Sequence, residues 1–208
     1  MLFDLTLKIT PELLVFPGDP HFKRKSLMNV NNGDDFSLEL FHLNNHMGTH
    51  IDYPSHVIKD GKSSDDFNIE NLCGEGIIIE ITHDSDIKAS DIDETKINSG
   101  DIVFFKTRNT RDQLLYRPFS EEYTCVMPDA AKKLLNLKVK MVGVDYINID
   151  HDSDDGLSAH HILLSHDVLI AEALELSKIP SGRYDFTIAP IHVNNSDGLP
   201  ARIIAKPM

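Results

Sequence analysis

Apolar and β-branched residues in this chain cluster in short runs bounded by turn residues, the pattern of strands rather than long helices. Runs at 3–9, 37–43, 76–82, 102–107, 139–145, 187–193 and 202–206 predict strands. Gly76-Ile77-Ile78-Ile79-Glu80 is almost continuously apolar, which predicts a strand covered on both faces. Helical signals are fewer. The segment 127–135 has a proline near the first-turn position and lysines toward its end. The segment 158–166 opens on a serine suited to capping. Weaker helical patterns occupy 64–71 and 88–95. Strands outnumber helices and mix with them. The expected fold class is therefore α/β, a single domain over 1–208 with a mixed β-sheet and flanking helices.

Composition sets limits on function. The chain has 208 residues, enough to bury a core without disulfide staples. No run of about 18 apolar residues occurs, so no membrane-spanning helix is predicted. Met1-Leu2-Phe3-Asp4-Leu5 carries an acid, lacks a basic region and reads as a strand, so a cytoplasmic protein is expected. Cys73 and Cys125 form no redox or zinc-ribbon motif and are expected to be reduced thiols packed as small hydrophobes. The net charge of -13 repels nucleic acid and anionic membranes, so the expected partner is a small-molecule substrate. It does not exclude an anionic substrate, because a bound divalent cation reverses the local sign. The 11 histidines change the picture most, since several lie close to carboxylates.

His46, Gly48, His50, Asp52, Pro54 and His56 occupy alternate positions. In an extended segment they share one face, while Met47, Thr49, Ile51, Tyr53 and Ser55 share the other. Gly48, Thr49, Ile51 and Pro54 weigh against a helix here. Three histidines and an aspartate on one face need partners, and a metal satisfies them together. A straight strand would put His46 and Asp52 roughly 20 Å apart. A histidine reaches a metal about 6 Å from its own Cα. The segment must therefore bend, and Gly48 is the residue that permits it. Two imidazoles and a carboxylate, His46, His50 and Asp52, suit Zn²⁺ first and Mn²⁺ second, with an open position for water. His56 is then free to move protons.

A second group lies at His160, His161, His166 and Glu172. Neighbours on a helix do not share a face, so His160 and His161 should not both reach one site. Glu172 ends the apolar run Val168-Leu169-Ile170-Ala171, where a buried carboxylate needs a counter-charge. Taken alone, these residues also fit ordinary surface or capping roles. The acidic segment 150–156 lacks the glycine and glutamate spacing of a calcium loop and reads as a solvated loop. No nucleophile elbow, phosphate loop or dinucleotide fingerprint occurs.

His46-x-Gly48-Thr49-His50-x-Asp52-x-Pro54-x-His56 resembles the H-x-G-T-H-x-D-x-P-x-H signature of the cyclase family, and every fixed position matches. That family includes kynurenine formamidases and isatin hydrolases. Pro17-Gly18-Asp19, Gly143-Val144-Asp145 with Asp150, Ala159-His160-His161-x-Leu163-Leu164 with Glu172, Gly182-Arg183-Tyr184 and Asp197-Gly198-x-Pro200-x-Arg202 extend the resemblance over essentially the whole chain. The resemblance implies two divalent ions per subunit. His46, His50 and Asp52 would hold one; Asp52, His160 and Glu172 would hold the other, with Asp52 and Glu172 bridging. His56 would be the acid/base. It also implies a swivelling β/β/α fold, a homodimer or tetramer, and hydrolysis of an amide C–N bond, with an aryl formamide such as N-formylkynurenine as the first expectation. Opening of a cyclic amide or ester, as in isatin hydrolase, is the alternative. A non-catalytic metal- or ligand-binding protein on the same scaffold is the third. Two positions depart from the formamidases: Phe16 replaces a tryptophan of the substrate pocket, and Asn148 replaces a serine. Both bear on the substrate and leave the metal ligands intact.

Overall fold

The computed structural model of the chain describes residues 1–154 and 156–208. Its strands are β1 (Phe3–Asp4), β2 (Lys23–Met28), β3 (Leu38–His42), β4 (His50–Asp52), β5 (Cys73–Glu80), β6 (Ile102–Lys106), β7 (Met141–Val144), β8 (Leu169–Glu172), β9 (Gly182–Pro190) and β10 (Gly198–Pro207). Its helices are α1 (Ile69–Leu72), α2 (Arg108–Arg111), α3 (Pro128–Asn136) and α4 (Ser158–Leu164). The main sheet runs β1-β10-β4-β8-β7-β6-β5-β9, and β9 also pairs with β10. The strands β4 to β10 thus close into a ring, with β1 attached outside it on β10. β5, β6, β7 and β8 are mutually parallel, and the remaining pairs are antiparallel. The sheet is mixed and the fold is α/β, as the strand-rich pattern predicts. β2 and β3 form a separate hairpin.

The continuously apolar strands bury both faces. Ile102 and Phe104 of β6 pack with Ile78, Met141, Phe186 and Ile203 in one core. Val103 and Phe105 face a second core with Ile77, Val142 and Ile170, which α3 covers with Ala130 and Leu134 and α4 with Leu163. β6 and β7, covered on both faces, therefore do not alternate, whereas β9, open to water on one face, buries Tyr184, Phe186 and Ile188 and exposes Asp185, Thr187 and Ala189.

α3 begins with its proline in the first turn, close to the expected position. The helix expected over 158–166 ends earlier, at Leu164, and Ser158 lies inside it rather than capping it. Asp150 takes the capping role, accepting from Ala159 N at 2.7 Å and His160 N at 3.0 Å. Asp150 is therefore buried and not a member of a solvated loop; Asp155 lies outside the described residues. The weak helical patterns at 64–71 and 88–95 resolve into 3₁₀ turns and the single-turn α1. The strand expected over 3–9 stops after Asp4, because Leu7 N turns to the buried Thr49 Oγ1 at 2.8 Å. Cys125 is buried and Cys73 half-buried, both as free thiols.

Candidate metal centre

The signature segment is not one extended strand. Only His50–Asp52 pair as β4, between β8 and β10. The register sets His50 opposite Glu172 and Asp52 opposite Gly198. Upstream, the chain bends at Gly48, whose φ of 67° is the positive value expected there. The bend folds His46 back over Asp52, with Nδ1 2.7 Å from Asp52 Oδ1. A Cβ on Gly198 would collide with the His46 ring, so only glycine leaves it this place. Downstream, a 3₁₀ turn over Pro54–His56 swings His56 onto His46, ring centroids 4.1 Å apart. Met47, Ile51 and Tyr53 point into the cores, and Thr49 Oγ1 donates to Ala173 O at 2.7 Å.

Two further bonds aim the imidazoles. His50 Nδ1 lies 2.8 Å from Gly48 O, and a carbonyl only accepts, so Nδ1 carries the proton. His50 Nε2 then faces Asp52 Oδ1 at 3.2 Å and Glu172 Oε2 at 3.5 Å. His160 Nδ1 is held by Asp150 Oδ2 at 2.7 Å. Its Nε2 faces Asp52 Oδ2 at 3.6 Å and Glu172 Oε1 at 3.5 Å. Each carboxylate thus offers one oxygen to His50 and the other to His160. Outer hydrogen bonds of this kind fix ring orientation in metal sites. His161 is exposed and takes no part, as the helix-face argument requires.

The donor set fits a divalent cation. Ligand atoms of His50, Asp52 and Glu172 lie within 4.8 Å of one another, as do those of His46, Asp52 and His56. Asp52 Oδ2 is buried and has no hydrogen-bond partner. An ionised oxygen left so is costly, and a cation between the two carboxylates removes the cost. Burial opposes charge on His50, but the Asp52 carboxylate, aided by Glu172, outweighs it and pushes the imidazole up to about 9. His160 is likewise opposed by burial and raised by Asp150 and Asp52 to about 10. Burial pushes Asp52 up, yet the surrounding imidazoles hold it well below the usual carboxylate range. Burial and the charge of Asp52 push Glu172 the other way. Protons thus occupy the imidazoles where a cation would otherwise balance the acids.

His56 differs from His50 and His160. Burial, together with His46 and His160, holds it below the ordinary imidazole value despite Asp52. It is a neutral base near neutral pH. Asp197 Oδ2 stands 3.6 Å from His56 Nδ1 and 3.4 Å from His46 Nε2, while its Oδ1 accepts from Asn45 Nδ2 at 2.7 Å. Asp150 and Asp197 orient the centre, a role that spacing did not give them; a carboxylate positioned to cap the helix carrying His160 was the available signal for Asp150. A cavity of about 470 Å³ opens onto His46, His50, His56, His160 and Glu172. Phe16 lines it and meets Phe119 edge-on, centroids 5.7 Å apart. Asn148 also lines it, with Oδ1 accepting from Asp150 N at 3.0 Å.

Fold and site together define a protein with a histidine–carboxylate centre facing a cavity walled in part by Phe16. The family model described as "Putative cyclase" matches residues 3–151, and the chain belongs to the cyclase family. It is 27% identical to a kynurenine formamidase of Salinibacter ruber over 210 residues, 99% of this chain and 97% of that protein. Among solved structures, one titled as a potential metal-dependent hydrolase with cyclase activity superposes with a TM-score of 0.86 at 30% identity, covering 99% of this chain and 96% of the other. Isatin hydrolase A of Labrenzia aggregata superposes at 0.83 with 20% identity, covering 99% and 93%, a likeness of fold.

Proposed function

We propose that this chain is a metal-dependent hydrolase that cleaves the amide C–N bond of a small molecule, with an aryl formamide such as N-formylkynurenine as substrate. The observation that carries this reading is the pair of buried carboxylates, Asp52 and Glu172, each shared between His50 and His160 beside the cavity. His46, His50 and Asp52 would hold one ion, and Asp52, His160 and Glu172 would hold a second. Nitrogen and oxygen donors suit Zn²⁺ first and Mn²⁺ second. Bound ions of this type polarise a carbonyl and bring the pKa of a bound water near neutrality.

The chain's own residues do the rest. Phe16 presents ring surface to the aryl group, with Phe119 packed edge-on behind it. His56, neutral and beside the centre, takes the proton of the attacking water and delivers it to the leaving nitrogen. Asp197 steadies its ring from the Nδ1 side. Formate and an arylamine leave. The closed sheet with helices on its outer face supports a swivelling β/β/α assignment over 1–208. The β2–β3 hairpin exposes Leu27, Leu38, Leu40 and Phe41, which favours a homo-oligomer, dimer or tetramer. No helix among the described residues is long and apolar enough to cross a membrane, and a cytoplasmic location fits the reduced thiols.

Phe16 makes ring opening of a cyclic amide the natural competitor. A comparison of kcat/KM on N-formylkynurenine and on isatin separates the two. The formamide is expected to be the better substrate, and a higher kcat/KM for isatin would reassign the substrate class.

Metal binding should also be linked to pH. The raised values of His50, about 9, and His160, about 10, lie above the ordinary imidazole value of 6.5. Their protonation stabilises the metal-free fold fully below about pH 6.5, and that stability is lost as pH rises through about 9 to 10. Metal binding displaces these protons, so its stabilising effect grows over the same window. Thermal unfolding of chelated and metal-loaded protein should therefore give a difference in Tm that widens from acid to alkaline pH. A difference that narrows would contradict the assignment of His50 and His160 as ligands.

A further inference from the structure

A second cluster stands apart from the centre around Asp52. Ligand atoms of Asp86, Cys125 and His151 lie within 4.8 Å of one another. Asp86 Oδ1 is 3.0 Å from His151 Nε2 and accepts from Cys125 N at 3.1 Å. Three backbone segments deliver these residues, and hydrogen bonds join the segments. Ile87 N donates to Cys125 O at 2.8 Å, and Val126 N donates to Ile149 O at 3.0 Å. Ile87 and Val126 form a parallel bridge, and the Tyr123 ring lies against His151 at 5.6 Å between centroids. The donors are therefore fixed by the fold rather than gathered by a ligand.

The cluster is also reachable. The Cys125 thiol is buried, but the His151 and Asp86 side chains are 34% and 30% exposed. A cavity of about 340 Å³ opens on Cys125 and His151, with Ser153 and Asp154 at its rim. One sulfur, one imidazole nitrogen and one carboxylate oxygen form a donor set for a thiophilic divalent ion, whereas the centre around Asp52 has no sulfur.

We propose that Asp86, Cys125 and His151 form an auxiliary metal site for a thiophilic divalent cation such as Zn²⁺, separate from the catalytic centre. On binding, the Cys125 thiol gives its proton to solvent and a sulfur–metal bond forms. The thiolate and the Asp86 carboxylate balance the two charges of the ion, His151 binds as the neutral imidazole, and water completes a tetrahedron. No electron is transferred. His151 directly follows Asp150, whose carboxylate orients His160, so the ion anchors the loop that supports the catalytic centre.

Cadmium is the probe, because thiolate-to-cadmium charge transfer gives an ultraviolet band that nitrogen and oxygen ligands do not. The full-length protein is first loaded with Mn²⁺, then titrated with Cd²⁺. The band is expected to saturate at a single equivalent per chain, to survive Cys73→Ser and to vanish in Cys125→Ser. Zn²⁺ should displace it. His151→Gln and Asp86→Asn, at partly exposed positions, should each weaken Cd²⁺ binding by at least about tenfold, and they carry the test if Cys125→Ser does not fold. Absence of the band in the folded wild type, its persistence in Cys125→Ser, or unchanged affinity in both His151→Gln and Asp86→Asn would overturn the proposal. Hydrolytic turnover is read separately, so failure here leaves the reading of the Asp52 centre intact.

Discussion

Asp52→Ala is expected to empty the centre of metal, abolish turnover and lower Tm. Asp52 faces three imidazoles, His46 at 2.7 Å, His50 at 3.2 Å and His160 at 3.6 Å. Its removal leaves His50 with Glu172 as its carboxylate partner, and His160 with Glu172 and Asp150. Breaking a buried ion pair from one side costs about 3–5 kcal/mol, a large share of the 5–15 kcal/mol that about holds a typical domain together. Metal analysis and thermal unfolding of the variant check this directly. Full metal content in Asp52→Ala would remove Asp52 from the bridging position.

His56→Ala should separate chemistry from binding. It is expected to retain metal and fold while kcat falls by about 10²- to 10⁴-fold, the usual contribution of a positioned acid/base. His56 can be lost without exposing a charge, because its surroundings already hold it neutral. KM should change little, since the proposed contact for the substrate ring is Phe16 on the cavity wall rather than His56. Metal content and steady-state kinetics on the same preparation decide the matter. Equal losses of metal and kcat would make His56 a ligand, which its grouping with His46 and Asp52 also permits.

The chemistry of this protein is unusually local in its sequence, and that is why much of the centre could be read there. Alternation from His46 to His56 separates core-facing Met47, Ile51 and Tyr53 from the polar set, and Gly48 marks the bend. Helix geometry kept His160 and His161 from sharing one site, the family resemblance pointed to His160, and an apolar run ending in Glu172 marked a buried carboxylate. The β-strands were legible as apolar runs, but their closure was not. β10 joins β4 and β9 joins β5 through hydrogen bonds between segments far apart in the chain, and backbone pairing leaves little trace in side-chain pattern. The same distance hid Gly198, whose missing Cβ matters only because His46 occupies the space. Asp150 looked like one acid among several in a polar loop. Its burial follows from the start of α4, where two backbone donors and the His160 ring need a carboxylate. Cys125 was legible as a core thiol and is one, but its neighbours Asp86 and His151 come to it only through the folded backbone.

The most direct test is formate release from N-formylkynurenine by the purified full-length chain, measured as isolated, after chelation, and after adding back Zn²⁺ or Mn²⁺, with metal content read on each sample. Hydrolysis should disappear with the metal and return in proportion to metal restored. Turnover that survives complete chelation, or a metal-loaded protein inert on aryl formamides, cyclic amides and lactones alike, would contradict the account.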